Sequence, residues 1–177
     1  RSDARIGYTP GQPIRLDEVT DLLAREAHSL DNRQWDDWLA LFHADAWFWV
    51  PAWRGDYELV EDPQSEISLM YHPTRAGLED RVWRVRSGLS AASAALPRTC
   101  HLVGSVRIVQ GDASQALVHS SWHCHRLDLH TSQTQMLFGH YEHHLRAGTE
   151  GWRIAGKKVV LMNDRIPTMV DFIAFEI

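Results

Sequence analysis

The second half of the chain limits the fold most. Residues 98–110, 113–127, 133–147 and 152–162 read as four long stretches rich in alternating and β-branched side chains. Only short polar turns separate them: Gly111-Asp112, residues 128–132 and residues 148–151. Strands this long, with turns this short, pair with their neighbours in sequence, so an antiparallel meander is expected. Long strands also twist, so the sheet should bend. Its apolar face then needs a cover.

The first half supplies one. Leu16, Val19, Leu22, Leu23, Ala27 and Leu30 recur at three- and four-residue steps, which predicts an amphipathic helix ending at Asp31-Asn32. Asp17 suits its N-cap or first turn, and Glu18 adds favourable charge there. A second, shorter helix is predicted over 34–42, with Trp35, Trp38, Leu39 and Phe42 on one face. Residues 46–53 read as a strand apolar on both sides. Trp47, Trp49 and Trp53 point one way, Phe48 and Val50 the other, and Pro51 marks an irregularity. Residues 66–71 predict a further strand, and residues 75–86 a helix with Leu78, Val82 and Val85 as its seam. Residues 87–97 predict a loop. Helices first and strands later is the α+β order. Residues 1–15, with Pro10, Gly11 and Pro13, are expected to form an irregular arm, and 16–177 one domain.

Composition excludes several function classes. The 177 residues carry a net charge of −5, which argues against a nucleic-acid surface. No apolar run approaches the ~18 residues of a membrane span. Cys100 and Cys124 form no Cys-x-x-Cys pair, and a reduced, cytoplasmic setting is expected. Eight Trp in a chain of this size suggest more buried surface than one small core needs, as in an oligomer.

Several consecutive stretches resemble one family. They are Phe48-Trp49-Val50-Pro51-Ala52-Trp53, the block from Glu61-Asp62-Pro63-Gln64-Ser65-Glu66 to Leu69, and Arg75-Ala76-Gly77-Leu78-Glu79-Asp80-Arg81-Val82-Trp83-Arg84. Pro97-Arg98-Thr99, His101-Leu102-Val103 and Gly151-Trp152-Arg153-Ile154 belong to the same set. Together they resemble the small (β) subunit of aromatic-ring-hydroxylating dioxygenases, closest to the branch acting on benzoate, toluate, anthranilate and halobenzoates. The resemblance implies a cone-shaped α+β fold of the scytalone dehydratase and nuclear-transport-factor-two superfamily. It implies a β homotrimer within a three-α, three-β assembly, and a structural role. It also implies that the Rieske 2Fe-2S cluster and the mononuclear Fe(II) belong to the α subunit, with electrons from NADH through a reductase. The chain itself agrees. A Rieske cluster takes two Cys and two His, commonly as Cys-x-His and Cys-x-x-His. Cys100-His101 and Cys124-His125 are adjacent pairs and fit neither.

Three groups of residues are candidates for function. His119, His123 and His125 share a strand face, which also receives His140 and Glu142 if the next hairpin turns near 128–133. That is metal-ligand chemistry, but a solvated or interface face is the stronger reading, so no metal is expected. Glu79, Asp80, Arg81 and Arg84 crowd one helix, where Asp80 and Arg84 stand at i, i+4; a subunit contact is expected there. Trp49 and Trp53 are candidate partner anchors, as are Phe172 and Phe175 in an apolar tail expected to dock inside a trimer or under the sheet. The alternative is a free-standing cone-fold enzyme of dehydratase or isomerase type. Its cavity would gather Asp45, Asp62, Tyr71, His72 and His101 as acid and base.

Overall fold

The computed structural model describes residues 8–87 and 96–163. Helix α1, Leu16–Asp31, buries Val19, Leu22, Leu23 and Leu30, as its stripe requires. Arg15 holds the N-cap position and its N–H donates to Glu18 Oε2 at 2.9 Å, so Asp17 lies inside the first turn. Two members of the expected stripe are corrected. Leu16 is exposed, and Glu26 takes the buried place expected of its neighbour Ala27.

Helix α2, Trp35–Ala40, is shorter than expected, and strand β1, Phe42–Pro51, starts four residues early. Phe42 explains both differences. It packs edge-on against Trp38 at 5.3 Å, so it keeps a helical spacing to its neighbour. Its backbone, however, pairs with Ile154 as a strand. β2, Trp53–Arg54, and β3, Glu58–Leu59, form a small hairpin. β4 follows as Ser68–His72 and α3 as Ala76–Ser87, with Leu78, Val82 and Val85 buried. The meander is then β5, Arg98–Gly111; β6, Gln115–Leu127; β7, Thr134–Gly148; and β8, Gly151–Leu161.

The main sheet runs in the order β4-β1-β8-β7-β6-β5. Only the β1–β8 pair is parallel, so the sheet is mixed. Register shifts insert extra residues in β5, in β8 at Ala155 and in β4 at Leu69, and bulges bend a sheet. Two glycines permit the close packing of this bend. A Cβ at Gly139 would collide with the backbone of Val160, and one at Gly156 with the ring of Trp47. The concave side holds the core: Phe48, Val118, Trp122, Leu137, Tyr141, Ile154 and Val159 lie under α1 and α2. The irregular lead-in before α1 is tied down, with Ile14 buried and the Tyr8 hydroxyl donating to Gly148 C=O at 2.9 Å.

Candidate subunit-interface surface

The concave side carries an ionic cluster. Glu26 Oε1 accepts from Lys157 Nζ at 2.7 Å, and Glu26 Oε2 lies 2.9 Å from His143 Nε2. All three groups are sealed, at 3%, 1% and 0% exposure. Burial opposes ionisation of Glu26, but Lys157 and His143 outweigh it and hold its carboxyl down to about 2. Burial also pushes His143 below its ordinary value, against the pull of Glu26. A neutral imidazole donating from Nε2 fits that arrangement, because Nδ1 has no protein partner and is better left without a proton. Lys157 also sits 3.9 Å over the ring of Tyr141, which stacks on Trp122. The cluster therefore fixes α1 to β7 and β8.

A second pin closes the end of α1. Asp31 Oδ1 lies 2.6 Å from His101 Nδ1, and Asp31 Oδ2 accepts the His101 backbone N–H at 3.0 Å. Burial raises the Asp31 pKa, but the His101 contacts outweigh it, and the net direction is down. The expected acid–base set does not assemble. Asp45 binds Arg146 at 2.5 Å, Asp62 accepts from Ser65 and Gln64 in its own loop, and His101 is taken by Asp31. His72 lies beneath Gly77 on the far strand, and Tyr71 stands beside Trp49.

The convex side is open. The register puts His119 opposite Glu142, Ser121 opposite His140, His123 opposite Phe138 and His125 opposite Met136. His119, Ser121, His123, His125, His140 and Glu142 thus share a face, as the alternation requires. The donors do not converge, however. Glu142 engages His119 at 3.5 Å and His144 at 2.8 Å, while His123 and His125 meet each other edge-on farther along the strand. Among the described residues no three His, Cys, Asp or Glu side chains close into a metal-holding group. Nor do the cysteines fit an iron–sulfur cluster: Cys100 is exposed and pairs with His125, while Cys124 is buried on the other face.

The block from 54 to 84 builds the sheet's outer edge. Glu66 pairs with Arg54 and accepts the backbone N–H of Glu61 at 2.8 Å, so the acidic residues here fold a loop. β4, the outermost strand, turns Met70 inward and leaves Ile67, just before the strand, 85% exposed, and Leu69 exposed within it. On α3, Arg75 pairs with Glu79 at 2.8 Å, and Arg86 crosses to Asp36 on α2 at 2.8 Å. Asp80 and Arg84 are exposed and Arg81 is half-buried. Trp83 presents an indole to solvent at 61% exposure. The other tryptophans are engaged within the chain. Trp49 Nε1 donates to Ser68 Oγ at 2.8 Å under Lys158, and Trp53 Nε1 donates to Leu161 C=O at 2.7 Å. Phe172 and Phe175 lie outside the described residues.

The chain thus pairs a buried ionic cluster with an exposed apolar edge. The family model for the ring-hydroxylating β subunit matches residues 25–168. The chain belongs to that family. The 2-halobenzoate 1,2-dioxygenase small subunit of Burkholderia cepacia is 38% identical over 154 residues, covering 87% of this chain and 92% of its own. The crystal structure of the benzoate 1,2-dioxygenase β subunit from Burkholderia mallei superposes with a TM-score of 0.71 at 33% identity, over 85% of this β subunit and 93% of that one. An NTF2-like protein with a cystatin-like fold from Novosphingobium aromaticivorans superposes with a TM-score of 0.60 at 14% identity, covering 84% and 82%. That likeness concerns the cone fold alone.

The Glu26–His143–Lys157 cluster was not among the sequence candidates, although a signal existed. Glu26 follows Leu22 and Leu23 by four and three residues and precedes Leu30 by four, on the stripe itself. An acid in an apolar stripe calls for a buried base.

Proposed function

We propose that this β subunit is the structural partner of a Rieske-type α subunit in a dioxygenase acting on a benzoate-like aromatic carboxylate. The holoenzyme adds both atoms of dioxygen to the ring and gives a cis-dihydrodiol. The Rieske cluster and the mononuclear iron belong to the α subunit, and a reductase brings electrons from NADH. The β chain forms a trimer, three β with three α, in the cytoplasm, and holds the α subunits in register. The observation that carries this reading is the relatives' shared identity with halobenzoate and benzoate dioxygenase small subunits across nearly the whole chain. The buried Glu26–His143–Lys157 cluster and the Asp31–His101 pair support it, because these groups serve as internal pins.

The exposed apolar residues of the outer edge, Ile67, Leu69 and Trp83, suit partner anchors, with Glu79, Asp80, Arg81 and Arg84 as a polar rim. The test is reconstitution. Benzoate turnover should appear when this chain is combined with a benzoate-type α subunit and a reductase. Turnover by the chain alone, or α activity indifferent to its presence, would overturn the reading.

A further inference from the structure

The convex side of the sheet holds an apolar patch that the helices do not cover. Leu102 on β5, Met136 and Phe138 on β7, and Met162 just after β8 are between 39% and 53% exposed. The register places them together. Leu102 stands opposite His123, and His123 opposite Phe138. The Met162 N–H donates to Phe138 C=O at 2.9 Å, and Leu161 beside it is buried, so Met162 faces outward like Phe138. One row of side chains therefore crosses four strands, Leu102–His123–Phe138–Met162. Met136 and His125 begin the adjoining row. Contiguous exposed apolar surface of this kind marks a place where another segment or molecule docks.

The chain leaves the described residues at this patch. Asn163 ends the β8 ladder with its side chain: Oδ1 accepts the Phe138 N–H at 3.0 Å and Nδ2 donates to Met136 C=O at 3.1 Å. Asn163, the last described residue of this segment, thus lies beside Phe138 and Met136. The fourteen residues that follow, 164–177, include Ile166, Met169, Val170, Phe172, Ile173, Phe175 and Ile177. Four strands lie across roughly 14 Å, and fourteen residues reach well beyond that.

We propose that residues 164–177 dock on the convex patch of their own chain, with Phe138 and the two methionines as their floor. A tether of zero length makes the contact intramolecular, so it is favoured over the same segment from another copy. The contact completes the outer face of this β subunit, and it does not depend on the dioxygenase reading.

The test uses the full chain with p-benzoylphenylalanine in place of Phe138, an exposed position where an aromatic of similar build leaves the core untouched. The protein is prepared as an equal mixture of ordinary and nitrogen-15-labelled chains, irradiated, and the crosslinked peptides are sequenced by mass spectrometry. Crosslinks from position 138 to residues 164–177 within one isotope population are expected. Peroxide oxidation of Met136 and Met162 should also be slower, by on the order of tenfold, than in a chain ending at Asn163, as for side chains held under an intramolecular contact. Crosslinks that join the two isotope populations would assign the patch to a second copy and overturn the proposal. Absence of any crosslink, with both methionines equally reactive in the two chains, would overturn it as well.

Discussion

The two faces of the same sheet solve opposite problems. On the concave face, three ionisable groups are buried and each finds a partner: Glu26 with Lys157 and His143. On the convex face and the outer edge, apolar groups such as Ile67, Trp83 and Phe138 are exposed. The contrast teaches that the interior polar groups pin the helix to the sheet, whereas the apolar groups outside have no such partners among the described residues.

The sharpest way to break the comparison is to disturb the interior. Replacing Lys157 by Met leaves Glu26 buried without its cation, and stability in urea unfolding should fall by about 3–5 kcal/mol. Adding Glu26→Gln to that variant should recover a large part of the loss, because the unpaired charge goes too. A loss unchanged by the second substitution would mean that packing, and not charge pairing, dominates at this site.

Acid should act on the same face in two stages. His143 has a folded pKa below its ordinary 6.5. The unfolded chain therefore binds this proton first, and stability should begin to fall as pH drops below about 6.5. Glu26 moves from an ordinary 4.5 to about 2, so its contribution is complete above 4.5 and is lost as pH falls towards 2. Urea midpoints measured from pH 8 to 3 should decline in both windows. The upper decline should vanish in a folded His143→Gln variant; its persistence there would point to another histidine, with half-buried His72, also held low, as the first to examine.

The outer face should respond differently. Trp83→Ala removes an exposed indole, so the unfolding free energy should move by no more than about 0.5 kcal/mol. Association with an α subunit should nonetheless weaken by about 2 kcal/mol, as for an interface anchor. Equal binding by wild type and variant, measured by calorimetry, would move the interface away from α3. A smaller effect than the loss at the interface is expected at Trp49, where Phe keeps an aromatic ring but loses the bond to Ser68; about 1 kcal/mol of stability should go, with assembly intact.

Much of this fold was legible in the sequence because its periods were clean. The β6–β7 pairing follows from alternation and one short turn, so the shared face of His119, His123, His140 and Glu142 was readable. Phe42 was not, since its side chain obeys the helical spacing of α2 while its backbone belongs to β1. The β4 strand was readable as a strand but not in its orientation. Its apolar alternation, Ile67 and Leu69, points outward and Met70 inward, where the register against β1 skips Leu69. The ionic cluster was hidden for another reason. Its members come from positions 26, 143 and 157, and only the bend of the sheet brings them together.

The central claim is that this chain acts through its surface on a partner, and native mass spectrometry with a parallel turnover assay tests it most directly. The chain is mixed with the α subunit of a benzoate-type dioxygenase and its reductase. The account predicts a hetero-oligomer containing equal numbers of both subunits, with benzoate oxidation appearing only in the mixture. A chain that remains apart from the α subunit, or that transforms substrate without it, would contradict the account.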